Sequence, residues 1–102
     1  IKSDELWHFH DGNGLTIHEL TENGKYINHQ LGLNLSANEK PQLIIPAGSW
    51  FASEVVDDGD FCLVGCTVSP GFDFEDFELA KAAELTSKYP DQKNLVNRLC
   101  IL

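Results

Sequence analysis

The feature that most constrains this chain is its punctuation. Asp11-Gly12-Asn13-Gly14, Asn23-Gly24, Pro46-Ala47-Gly48 and Asp57-Asp58-Gly59-Asp60 are dense turn signals. They cut the first two thirds of the chain into runs too short for ordinary helices. The residues between the turns alternate with a period of two, as a half-buried strand does. In Asp4–His10 that period puts Glu5, Trp7 and Phe9 on one face and Leu6, His8 and His10 on the other. Leu15–Leu20 repeats the pattern, with Leu15, Ile17 and Glu19 against Thr16, His18 and Leu20. Tyr26–Leu31 is a third strand, polar enough to belong at a sheet edge. Gln42–Ile45, Ser49–Val56 and Phe61–Val68 continue the series, and the last of these is the most strongly apolar. Short strands with a turn every eight to twelve residues predict an all-β barrel or sandwich.

The tail changes character. Phe74–Lys88 is rich in helix formers, with an apolar stripe of Phe74, Phe77, Leu79-Ala80 and Leu85 and acidic residues in its first turn. Tyr89-Pro90 stops that helix. Asp91 is placed to cap a last short helix that buries Leu95, Val96 and Leu99. The stretch Phe61–Glu78 therefore joins two regimes: barrel strands over 1–69 and a helical segment over 70–102. Ser69-Pro70-Gly71 is the hinge, and the acidic, aromatic run after it is expected to seal the sheet.

A chain of 102 residues forms one domain with a small core. Its net charge of −9, with only seven scattered Lys and Arg, disfavours nucleic acid and anionic membrane as partners. No run approaches the length of a membrane span, and the first residues do not read as a signal peptide. Three cysteines without framework spacing suggest free thiols in a reducing compartment, so the cytoplasm is the expected location. Cys62 and Cys66 lie roughly 13 Å apart along one strand, too far for a disulfide.

Two motifs carry a resemblance. Glu5 followed by six residues and Gly12, and later Pro46-Ala47-Gly48 leading into a strand, resemble the two motifs of the cupin superfamily. In that family the motifs sit on facing strands of a small β-barrel, and three histidines and a glutamate commonly bind a divalent metal. The H-x-H of the first motif would fall upstream of Ile1, and the histidine position of the second is Phe51. A carbon ring offers no donor to a metal, so no metal or other cofactor is expected. More closely, DELWHFHDG, PQLIIPAGSWF and LVGCTVSPGFDFEDFELA resemble the DUF985 (cupin 5) family over nearly the whole chain. That resemblance implies a double-stranded β-helix (jelly-roll) barrel with C-terminal helices, related in shape to the dTDP-4-dehydrorhamnose 3,5-epimerase barrel. It implies a homodimer, a metal-free or atypical site and a largely unassigned biochemical role. It also implies a preceding segment in other members that this chain is expected to lack.

Glu5 is the weak candidate for a catalytic group, because burial raises a carboxyl toward neutrality. The expected ligand-binding residues are Glu5, Trp7, Phe9, Gln42 and Phe51. The aromatics offer flat faces to a ring. Gln42 is included on the resemblance, as a buried amide that needs partners. Trp50 alternates the other way. His8 and His10 form an H-x-H but lie opposite Glu5 on their strand, so they are expected at the surface or an interface. His18 and His29, without sequence partners, are also expected at the surface. Cys66 is expected to be packed and inert. These residues suggest a small-molecule-binding protein for a polar or sugar-nucleotide-like ring. The alternative is a sugar epimerase or isomerase moving a proton beside a carbonyl. A metal-dependent oxygenase is the reading that Phe51 most disfavours.

Overall fold

A computed structural model describes residues 3–56, 59–69 and 78–100. Six strands form: β1 (Asp4–Gly12), β2 (Leu15–Leu20), β3 (Tyr26–Leu31), β4 (Gln42–Ile45), β5 (Trp50–Val55) and β6 (Cys62–Ser69). They pair antiparallel into two three-stranded sheets, ordered β4-β1-β6 and β3-β2-β5. The boundaries match the alternation to within a residue or two. β3 is an edge strand, as its polarity suggested. Two facing antiparallel sheets followed by helices are the jelly-roll arrangement expected from the sequence.

The core lies between the sheets. Trp7, Leu43 and Ile45 of one sheet meet Leu15, Ile17 and Leu31 of the other, with Phe9, Phe51, Val55, Cys62 and Val64 packed around them. Ile17 and Leu31 are fully buried. Each such aliphatic side chain removed from water contributes about 1.5–3 kcal/mol. The pleat therefore puts the predicted face, Glu5-Trp7-Phe9, inward. Register confirms it: Glu5 opposes Ile45 and Val68, and Trp7 opposes Leu43 and Cys66. Pro46-Ala47-Gly48 turns the chain from one sheet to the other. Gly48 holds φ +87, a backbone conformation that strains any residue with a β-carbon, so glycine suits the turn.

The outer face of the β3-β2-β5 sheet is covered by the C-terminal helices α1 (Ala82–Lys88) and α2 (Lys93–Leu99). Leu85, Tyr89 and Val96 pack on Leu20, with Tyr26, Trp50 and Cys100 around them. The first helix is shorter than predicted: residues 78–81 are not helical. Phe74, Phe77 and the Pro70-Gly71 hinge lie outside the described residues. Pro90–Gln92 forms a 3-10 turn between the helices, and Asp91 does not cap α2, whose N-cap is Gln92 without a side-chain bond. Helices of seven residues are not stable alone, so the apolar contact with the sheet holds them. Among the described residues no helix is long and apolar enough to cross a membrane.

Candidate functional site

A cavity of about 250 Å³ opens where the edge strand β5 meets β1 and the helices. Its wall combines both faces of β5. Ser49 and Phe51 come from the inner face, and Trp50 and Ala52 from the outer one. Leu20, Leu85, Val96 and Leu99 complete an apolar floor, and Glu5 enters from the facing sheet. Trp50, expected to point elsewhere, belongs to the cavity because β5 has no neighbour on its far side among the described strands.

Glu5 is buried, and its Oε2 accepts a hydrogen bond from the indole Nε1 of Trp7 at 3.3 Å. Burial pushes its carboxyl above the ordinary value, and the Trp7 hydrogen bond offsets part of that rise. Phe51 meets Trp7 edge to face, with ring centroids 5.8 Å apart. Trp7 thus stands behind Glu5 and Phe51, positioning both, and does not line the cavity itself. Phe9 is half-buried in the inter-sheet core. Gln42 does not join the group. It opposes His8 on the outer face of its sheet, is exposed, and contacts His8 Nδ1 at 3.2 Å. The expected set is therefore split, with Glu5 and Phe51 at the cavity, Trp7 and Phe9 behind it and Gln42 outside.

The histidines differ from expectation in an instructive way. His8 and His10 face outward as their phase requires, His8 also contacting Thr67. His18 is buried, not superficial: its Nδ1 meets the Tyr26 hydroxyl at 2.7 Å and its Nε2 meets Glu54 at 2.9 Å. Glu54 also receives two bonds from Arg98 of α2. That guanidinium, with His18, holds the Glu54 carboxyl down at about 2. His29 is half-buried and bonds Glu19, which is itself only 2% exposed and takes a second hydrogen bond from Ser49. Sequence reading missed Glu19, Ser49 and His29 as a group. Glu19 shares its face with Leu15 and Ile17, and the β2–β3 register sets Ile17 opposite His29. That pairing was the available signal.

Cys66 is exposed, not packed, because β6 is a sheet edge among the described strands. Its thiol is nevertheless pushed up, first by the protein around it and then by Glu5, so it remains an unreactive thiol. A metal does not fit around Glu5: Trp7 and Phe51 occupy its surroundings, and among the described residues no three His, Cys, Asp or Glu side chains converge.

A family model described as Cupin superfamily (DUF985) matches residues 1–80. The chain belongs to the DUF985 family of cupins. Two solved structures share the fold of this DUF985 cupin. Protein SO0799 from Shewanella oneidensis is 46% identical, with a TM-score of 0.91 over 98% of this chain and 63% of its own. A hypothetical protein from Leishmania major is 30% identical, with a TM-score of 0.90 over 98% of this chain and 65% of its own. The DUF985 chain thus spans a little under two thirds of each. No curated protein matches it.

Proposed function

We propose that this DUF985 cupin binds a small ring-bearing molecule in the cavity between β1, β5 and the C-terminal helices. The observation that carries this reading is the pairing of an apolar wall with a few polar residues, Glu5, Ser49, His18 and Glu78, of which Glu5 enters from the facing sheet. Ligand sites are mostly apolar with a few convergent polar groups. The ligand is a single ring with an apolar face and a hydroxyl that donates to Glu5. A cavity of about 250 Å³ takes one ring, so a sugar nucleotide would place only its sugar or its base there. The upward shift of Glu5 favours one second reading, an epimerase or isomerase in which Glu5 moves a proton beside a ligand carbonyl.

The test is a thermal-shift panel of phenol, simple sugars, nucleotide sugars and carbonyl acids, with binding followed on tryptophan fluorescence. Ring compounds bearing a hydroxyl should raise Tm in the native protein, and Glu5→Gln should alter which of them bind. Absence of any stabilisation across the panel overturns the reading. Deuterium uptake from solvent into a bound carbonyl compound, lost in Glu5→Gln, would establish the proton-transfer reading over simple binding.

A further inference from the structure

The opposite flank of the sandwich carries a second cavity. The chain just before β4 touches β3 through a parallel bridge between Leu31 and Lys40, where Lys40 N donates to Gln30 O and Gly32 N to Lys40 O, each at 2.9 Å. Beyond that bridge the two strands are not paired, and a cleft of about 870 Å³ opens between them. It shares no lining residue with the Glu5 cavity. His29, Asn28 and Gln30 line it from β3, and Lys40 and Gln42 from the facing side.

His29 is held there by a buried acid. Its Nε2 lies 2.8 Å from Glu19 Oε1, and Ser49 Oγ donates to Glu19 Oε2 at 2.6 Å. Glu19 is 2% exposed, and a carboxylate so buried persists only when its oxygens are satisfied. Both oxygens act as acceptors here, which assigns the His29 proton to Nε2 and leaves a lone pair on Nδ1. An imidazole oriented by a buried carboxylate, with no partner on its other nitrogen among the described residues, presents that nitrogen as a hydrogen-bond acceptor. Leu6, Leu43 and Ile44 also line the cleft, and Lys40 is the charged side chain there beside His29, in a chain of net charge −9.

We infer that the β3–β4 cleft is a second ligand site, for a hydroxylated anion, in which His29 Nδ1 accepts a hydrogen bond from a ligand hydroxyl and the Lys40 ammonium attracts the ligand's anionic group. Glu19 is a positioning residue: it acts on the ligand only through His29.

Two measurements test this. Nitrogen-15 NMR of the imidazoles should show His29 protonated at Nε2 in the ligand-free protein, and Glu19→Gln should let its tautomers mix. A His29 protonated at Nδ1 overturns the assignment. Titration with gluconate should then move the signals of His29 and Lys40, with uncharged glucitol binding at least tenfold more weakly. Lys40→Gln should abolish the preference for gluconate, and His29→Asn should weaken both. Because His29→Asn leaves Glu19 short of a partner, Lys40→Gln, which keeps the core intact, is the deciding variant. Gluconate shifts that fall outside the cleft, or that survive Lys40→Gln unchanged, overturn the proposal.

Discussion

Trp7 donates its indole N–H to Glu5 across 3.3 Å, from two residues further along the same inward face of β1. An aromatic side chain and a carboxyl at this spacing share a face by strand geometry alone. The carboxyl is thereby carried into a site that penalises its charge.

Glu5 should make stability fall as pH rises. Its folded-state value lies above the ordinary 4.5, so the folded protein binds more protons than the unfolded chain between those two values. Stability then declines with pH across that window and levels off above it. Glu5→Gln keeps an acceptor for Trp7 and removes the charge. Urea denaturation as a function of pH should show the decline in the native protein and a flatter profile, with relatively greater stability at pH 7, in the variant. Parallel profiles would show that Glu5 is not the group responsible.

Glu54 has the opposite sign. Arg98, and after it His18, hold its carboxyl at about 2, below the ordinary 4.5. Its contribution is present above 4.5 and is lost as pH falls toward 2. Arg98→Gln should therefore reduce stability most at neutral pH, and the gap between variant and native protein should close through that acid window. High salt should narrow the gap as well, because the Arg98 end of the pair is open to solvent. The readout is the denaturation midpoint at each pH and salt concentration.

Tyr89 ties the helical segment to the sheet. It is 3% exposed, packs with Leu20, Leu85 and Val96, and its hydroxyl donates to the Thr21 carbonyl at 2.5 Å. Tyr89→Phe should cost about 1 kcal/mol through that lost bond. Tyr89→Ala should cost about 3–5 kcal/mol, because two seven-residue helices lose their shared apolar contact. Far-ultraviolet circular dichroism should show helix loss in the alanine variant and native content in the phenylalanine one.

The strands and the inward face of β1 were legible because alternation and turns speak directly to pleat and register. The shared face of Glu5 and Trp7 followed from that, while Phe51 was placed by the motif resemblance. His29 was not legible, because it has no partner nearby in sequence and its partner Glu19 lies on the neighbouring strand. An edge strand still has an inner face, and Glu19 on β2 fixes His29 there. Cys66 failed in reverse: apolar neighbours in sequence suggested packing, but burial depends on what covers the strand. Gln42 was placed by resemblance, and the register that puts it beside His8 needed the β1–β4 pairing. The first helix was drawn too long because composition favours helix through residues 78–81, while packing fixes where the helix starts.

The homodimer implied by the family resemblance remains a proposal, and the fold offers one face for it. Helices cover the outer face of the β3-β2-β5 sheet; the outer face of β4-β1-β6 has none among the described residues. Its side chains include Leu6, His8, His10, Ile44, Leu63 and Thr67, with Asp4 and Asp11 towards its two ends. Ile44 is 59% and Leu63 57% exposed. Two chains of net charge −9 repel through most of their surfaces, so a face with apolar side chains between its two acidic ends is where a second copy can approach at least cost. Leu63→Lys, outward and outside the lining of both cavities, should convert a dimer to a folded monomer in light scattering, with circular dichroism unchanged, and Ile44→Glu, beside the β3–β4 cleft, should do the same. A native protein that is monomeric at every concentration, or variants that remain dimers, would place the interface elsewhere or remove it.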